Sequence, residues 1–401
     1  MYSIYNTSME LTQNPSEISA NNINNPLMPV VKKPKTTHIQ PVVLGVIVAA
    51  LLFGAIAIFF YARNRNLGDM VTPLSDGSGT VDTAKGEMSA NPLNGELTPI
   101  KAEEESVSLR PLAVMVNNHP DARPQSGLIY ADLVYEIVAE GGITRFLAFF
   151  LGTTPEKIGP VRSTREYYLV LVKELGDAML MHIGWSPQAL VAIESWPVRS
   201  LGRGGGTFWR DNPRDVAIEH TAYTNGVELR EIAQGLGWEG RREFDVWKFK
   251  DEKKGYETAP AANSVTIDFW YKGDFTSIFN YDATTNSYLR SMGYDSNDLP
   301  IPHVDQETGE QIKVKNVIVQ FAVENSIVGD DKSRLDYELI GSGNALIFLD
   351  GKVLNATWSK SERDTRTKFF DASTGEEIEY NRGKFWISIV PDRNLDQVVY
   401  Q

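Results

Sequence analysis

Three carboxylates spaced by four, Asp132, Glu136 and Glu140, are the first residues whose types and spacing could do chemistry. Paired acids can work as general acid and base or hold a sugar-cleaving geometry. A separation of four keeps them on one face of a strand and nearly on one face of a helix. The distances differ, about 13 Å along a strand against roughly 6 Å along a helix. Glycosidase carboxylates sit about 5 to 9.5 Å apart, so on the strand expected here no neighbouring two make such a pair unaided. The alternative is that each acid pairs with an arginine or faces water.

Arginines form the second group. In GPVRSTR, Ser163 followed three residues later by Glu166 is a capping box. It sets Arg162 and Arg165 at a helix N-terminus, where the macrodipole disfavours cations. Something anionic must offset them: either Asp132, Glu136 or Glu140, or an exogenous phosphate or carboxylate held by free N–H groups and guanidinium forks. Arg123, Arg145, Arg210 and Arg214 could join the same surface. The ligand-binding candidates are therefore Arg123, Arg145, Arg162, Ser163, Arg165 and Arg210.

Four of the five histidines, His119, His182, His220 and His303, fall in the part expected to fold. His119 before Pro120 reads as a turn residue, and His303 with Asp305 as a local hydrogen-bonding pair. His182, at the end of an apolar strand, is the better site candidate. No HExxH or other local ligand spacing occurs, so a metal site would need distant segments, and no metal or cofactor is assigned. Ser163 and Ser186 lie outside any G-x-S-x-G motif. GRGGGTFW lacks the Lys-Ser/Thr ending of a phosphate loop and reads as a glycine-permitted loop. Its Phe208 and Trp209 could offer a sugar-stacking or lid surface. No residue is assigned a catalytic role; the candidates for acid and base are Glu136, Glu140, His182 and His220.

The elements that must position these groups start at Leu112. LAVMVNN, DLVYEIVAE and ITRFLAFFLG are short, rich in β-branched and aromatic residues and separated by turn-formers, so they predict three strands. A helix follows Ser163, with Tyr168, Leu171, Val172 and Leu175 at helical spacing. AMLMHIG predicts a strand, SPQALVAIES a short helix, and Asn225 with Glu228 caps a helix bearing Leu229, Ile232, Ala233 and Leu236. Beyond the charged stretch Lys248–Gly255 helical patterns vanish. SVTIDFWY, NVIVQFAV, NALIFL-DG-KVLNATW, TKFFDASTGEEIEY and KFWISIV predict strands and hairpins, with Asp350-Gly351 a tight-turn signal. The expected fold is an α/β or α+β domain over 107–258 followed by a β-rich domain over 259–401.

The N-terminal part has a different character. Residues 1–40, rich in Asn, Ser, Thr and Pro, predict a disordered tail. Pro41–Ala62 is an uncharged apolar run matching the roughly 20 residues a helix needs to span the hydrocarbon. It is too long, and too far from the N-terminus, for a cleaved signal peptide. Lys32, Lys33 and Lys35 before it against Arg63 and Arg65 after it place the N-terminus in the cytoplasm and the folded part outside. Residues 63–106 predict a flexible tether. A net charge of −13 and the lack of a basic stripe argue against nucleic acid as a partner. Without cysteine there is no disulfide, thiolate site or lipid-modified thiol.

Several stretches resemble one family. RPLAVMVNNHPDARPQSGL, ADLVYEIVAEGGITRF, IGPVRSTR, the His182 strand with SPQA, FWRDNPRD with His220 and YTN, and DGKVLNATW with GKFWISIV are similar to the YerB-like lipoproteins, bacterial envelope proteins built on a domain of unknown function. The resemblance covers most of the chain after residue 110 and implies an extracytoplasmic location without an activity. Two features depart from it: no N-terminal cysteine is present for lipidation, Pro41–Ala62 standing in its place, and Thr221 follows His220 where the family favours an amide side chain. With no activity implied, three functions compete. They are binding of an anionic or glycan-like envelope ligand, hydrolysis or transfer on envelope polymers, and a protein-interaction scaffold.

Overall fold

The computed structural model describes residues 88–99, 109–203 and 206–401. Pro41–Ala62 lies outside them, as do the tail and most of the expected tether. Among the described residues no helix is long and apolar enough to cross a membrane.

The first strand of the main sheet along the chain, β1 (Leu112–Asn117), is an apolar run buried along its whole length, the pattern of a central strand covered on both faces. β2 (Leu133–Glu140) and β3 (Ile143–Phe150) make a hairpin. Gly141 and Gly142 between them both take positive φ, which a tight hairpin turn demands. Among the described residues three α-helices precede residue 236: α1 (Glu166–Glu174), α2 (Pro187–Ser195) and α3 (Gly226–Gly235). A short strand, β4 (Met179–Met181), runs parallel to β1. The later region holds β5 (Ser264–Ile267), β6 (Ser277–Asp282), β7 (Ser287–Tyr294), β8 (Pro300–Pro302), β9 (Lys313–Val314) and β10 (Asn316–Ala322). It continues with β11 (Gly341–Leu349), β12 (Lys352–Lys360), β13 (Lys368–Asp371), β14 (Phe385–Pro391) and β15 (Val398–Tyr400). Asp350 and Gly351, both at positive φ, close the β11–β12 hairpin. No described α-helix follows residue 235, so the expected contrast between a mixed first half and a β-rich second half holds as regional composition.

The expected division near residue 258 does not separate two cores. One nine-stranded sheet runs β13-β12-β11-β10-β14-β2-β3-β1-β4, with β14 parallel to both β10 and β2. Five strands from the second range and four from the first join at β14–β2 with no gap in hydrogen bonding, because β14 supplies a buried apolar strand that β2 needs as its second neighbour. A second sheet, β8-β7-β6-β5-β15 with β9 beside β7, takes in the last strand of the chain. One hydrophobic cluster includes Val114, Phe149 and Leu169 from the first half and Phe279, Ile318 and Trp386 from the second.

β2 shows how the layers stack. The Tyr135 hydroxyl donates to Glu174 of α1 at 2.6 Å, while Glu136 accepts from Arg290 and Ser277 of the second sheet. Adjacent residues of a strand point to opposite faces, so the helix lies on one side of the main sheet and the second sheet on the other. The tether expectation also needs correction, since 88–99 is ordered. Met88–Ala90 pairs with Leu97–Pro99, Leu93 is buried, and the amides of Asn91 and Asn94 donate to Asp132 at 2.9 and 2.8 Å.

Candidate functional site

The three spaced carboxylates do not share a face. A bulge interrupts the β2–β3 register between Val138 and Glu140. An extra residue re-aims the next side chain, so Glu136 faces the second sheet and Glu140 the helix side. Glu136 is fully buried, accepting from Thr144 and Ser277 at 2.8 Å and from Trp386 and Arg290 at 2.9 Å. Arg290 stacks on Trp386 at 4.2 Å and donates to His303, whose other ring nitrogen meets Gln125 at 2.8 Å. This network joins two sheets and offers no open face. Asp132, ahead of β2, takes the two asparagine amides and the N–H groups of Leu151 and Gly152. Burial nonetheless pushes its carboxyl up to about 6.

His182 is also interior. Its ring nitrogens meet the Gly184 carbonyl at 2.9 Å and Ser200 Oγ at 2.8 Å, and burial brings it down to about 4. Ser186 caps α2, accepting the Ala189 N–H at 3.1 Å. Arg123 donates to the carbonyls of Asn118 and Asp274 and covers Phe275 at 5.3 Å, while its own carbonyl accepts from Arg214.

Ser163 caps no helix. Arg165 occupies the N-cap of α1, and Arg162–Thr164 are extended, paired through Arg162 N–H to Met115, Thr164 N–H to Gly184 and Ile183 N–H to Arg162. Pairing with two neighbours holds these residues out of the helix, so only Arg165 meets the helix dipole. Its anion is Glu140, which also bonds Arg145 at 2.7 Å. Arg145 donates on to the Ser163 carbonyl at 2.9 Å. Burial, with Arg165 beside it, lowers Arg145 to about 10.

Arg162 is different. Half-buried, it reaches only the Glu219 carbonyl at 3.5 Å and has no ion-pair partner among the described residues. Burial holds its guanidinium below the usual range. Arg210 approaches the same turn, donating to the Ile218 carbonyl and lying 3.4 Å from Thr221 Oγ1. The turn ends in His220, which is buried and stacked on His119 with ring centroids 4.4 Å apart and planes at 15°. Asn117 Nδ2 lies 2.8 Å from His220 Nδ1. Burial, then His119 and Arg162, push His220 below its ordinary value. Ligand atoms of His119, Asp121 and His220 lie within 4.8 Å of one another, the spacing a metal ion could use.

The structure thus brings together Arg145, Ser163, Arg165, Glu140, Arg162, Arg210 and His220, and leaves Glu136, His182 and Arg123 outside that surface. Asn117 and Asp121, to which sequence reasoning assigned no role, belong to it, and so does His119, the expected turn residue, which caps Pro120–Ala122. The signal lay in NNHPD, where polar groups follow directly on a buried strand. A surface cavity of about 900 Å³, lined by Lys248, Tyr256, Asn355 and Glu377 among others, contains none of these residues.

The β-rich fold carries a mixed surface of arginine and histidine, and comparison with known proteins shows its family. The chain belongs to the DUF3048 family: residues 97–239 match the N-terminal domain and 265–387 the C-terminal domain of a protein of unknown function. It is 34% identical over 309 residues to "Putative lipoprotein YerB" of Bacillus subtilis (strain 168), covering 76% of this chain and 88% of that one. The crystal structure of the YerB protein from Bacillus subtilis superposes with a TM-score of 0.64 at 33% identity, over 78% of this chain and 99% of that one. An inactive zinc metalloprotease of Schizosaccharomyces pombe is 26% identical over 132 residues, a match spanning 16% of that protein's length.

Proposed function

We propose that this protein is attached to the bacterial cell membrane with its folded part outside, and that the Arg162 surface binds an anionic, glycan-like envelope ligand through phosphate or carboxylate oxygens. The observation that carries the reading is a contrast between neighbours: Arg145 and Arg165 share Glu140, whereas Arg162 has no ion-pair partner among the described residues. A half-buried guanidinium that has Glu219 and Glu140 as well as Arg165 and Arg210 nearby, but an ion pair with neither acid, is open to a further anion. The attachment rests on the apolar run Pro41–Ala62 and on the similarity to the Bacillus relative named "Putative lipoprotein YerB". The hydrolase reading loses support, because Glu136 is sealed in an ion pair and Glu140 is held by two arginines, leaving neither carboxylate free to move a proton.

Thermal unfolding of the full chain in detergent, with inorganic phosphate, acetate and acidic envelope-glycan fragments, tests the reading. A ligand at about 100 times its Kd stabilises the fold by about 2.7 kcal/mol. The shift is expected for the parent and absent for Arg162→Ala. No shift with any anion transfers the assignment to a protein-interaction scaffold.

A further inference from the structure

Beside Arg162 the orientation of one amide determines the polarity of the site. Asn117 Oδ1 accepts the His119 backbone N–H at 3.0 Å, and Asn117 Nδ2 lies 3.4 Å from the Glu219 carbonyl. Both contacts fix the amide the same way round, since reversing it would face donor with donor and acceptor with acceptor. The same Nδ2 points at His220 Nδ1 from 2.8 Å. That ring nitrogen must accept, so the neutral imidazole carries its proton on Nε2. His119 repeats the pattern: its Nδ1 accepts the Asp121 N–H at 3.2 Å. Neither Nε2 has a hydrogen-bond partner among the described residues. Arg162 reaches the same Glu219 carbonyl as Asn117 does, so three hydrogen bonds, through Glu219 and Asn117, tie the guanidinium to the His220 ring.

We propose that the Nε2–H of neutral His220 and the guanidinium of Arg162 donate together to one oxyanion, phosphoryl or carboxylate, and that Asn117 is the positioning residue that locks the tautomer. This deepens the anion-binding reading and rests on it. The charged or titratable groups around the ring are His119, Asp121, Arg162 and Glu219. Protonating His220 would set an Nδ1–H against the Asn117 amide donor and add a cation beside Arg162, so the ring serves as a neutral donor. The same geometry counts against a metal at His119, Asp121 and His220. The Asn117 amide engages Nδ1 of His220, so a metal at this ring would need the Nε2 lone pair, and in this tautomer that position carries hydrogen. Replacing Asn117 by Asp inverts the polarity: one carboxylate oxygen keeps the His119 N–H, the other accepts from Nδ1, and the lone pair moves to Nε2.

The test is long-range ¹H–¹⁵N NMR of the full chain labelled at histidine, with titrations of inorganic phosphate, acetate and Zn²⁺, each added alone. In the parent His220 is expected as the Nε2–H tautomer, with Nε2 moved by phosphate, by acetate or by both, the responding anion naming the ligand chemistry. Asn117→Asp is expected to weaken anion binding about tenfold or more and to gain Zn²⁺ binding. An Nδ1–H tautomer in the parent, Zn²⁺ binding by the parent, or unchanged anion affinity in Asn117→Asp would overturn the proposal while leaving an Arg162-dependent anion site standing. Failure of the parent to bind either anion overturns the underlying reading and the proposal together. If Asn117→Asp does not fold, the parent's tautomer and its Zn²⁺ titration decide alone.

Discussion

At the scale of single residues, this protein places its strongest charges in two different settings. Glu136 and Arg290 are both fully buried and meet at 2.9 Å, with every Glu136 oxygen satisfied by a hydroxyl, an indole or a guanidinium. Such a pair contributes little net stability compared with apolar residues of the same shape, yet removing one partner strands the other. Glu136→Gln keeps the volume and removes the charge, leaving Arg290 uncompensated between the sheets. A loss of about 3–5 kcal/mol is expected from the urea midpoint at unchanged m-value, and Glu136→Leu combined with Arg290→Met should recover much of it. A variant as stable as the parent would show the pair to be solvated. Arg162, by contrast, is held only by a carbonyl, and its replacement should change ligand response with little effect on stability. The residue types of both groups could be read from the sequence, but not this difference. It depends on which neighbours arrive from residues 277, 290 and 386, more than a hundred positions away.

Secondary-structure elements were legible where local chemistry determines them. Asn225 caps α3 through the Val227 and Glu228 N–H groups, and Gly141-Gly142 and Asp350-Gly351 turn their hairpins, each as its residue types demand. The reading failed where tertiary pairing overrides a local signal. The Ser163–Glu166 pattern is a sound capping box, but the chain between β1 and residues 183–186 gains more backbone hydrogen bonds by staying extended. The period-two rule likewise placed Glu136 and Glu140 together, and one bulge separated them. That bulge supplies the candidate site with Glu140, the anion that Arg145 and Arg165 share. Deleting Ala139 should restore regular alternation and set Glu140 directly after Val138, still opposite Ile143 and on the helix side. The expected result is a crystal structure without the bulge in which Glu140 keeps its contacts to Arg145 and Arg165; loss of both contacts would show that the bulge geometry itself, not the register, aims Glu140.

The whole molecule binds its two family segments into one mechanical unit. Composition marked the change of character near residue 258, and the family boundaries at 239 and 265 fall on either side of it. A boundary in composition is not a boundary in hydrogen bonding, because parallel pairing of β14 with β2 and the Glu136–Arg290 contact both cross it. No local pattern announces that a strand at 385–391 will lie beside one at 133–140, since parallel neighbours need no turn between them. The site inherits this arrangement: Glu140 and Arg145 lie on β2 and β3, whose outer neighbour β14 comes from the second segment. Thermal or urea unfolding followed by tryptophan fluorescence and by far-UV circular dichroism should therefore give coincident single transitions. The 109–258 segment produced alone should lack a cooperative transition and should not respond to anions, because β2 would expose Glu136 and an unpaired edge. Two separated transitions, or an independently folded first segment that retains the Arg162-dependent anion response, would instead make the shared sheet a docking of two autonomous domains.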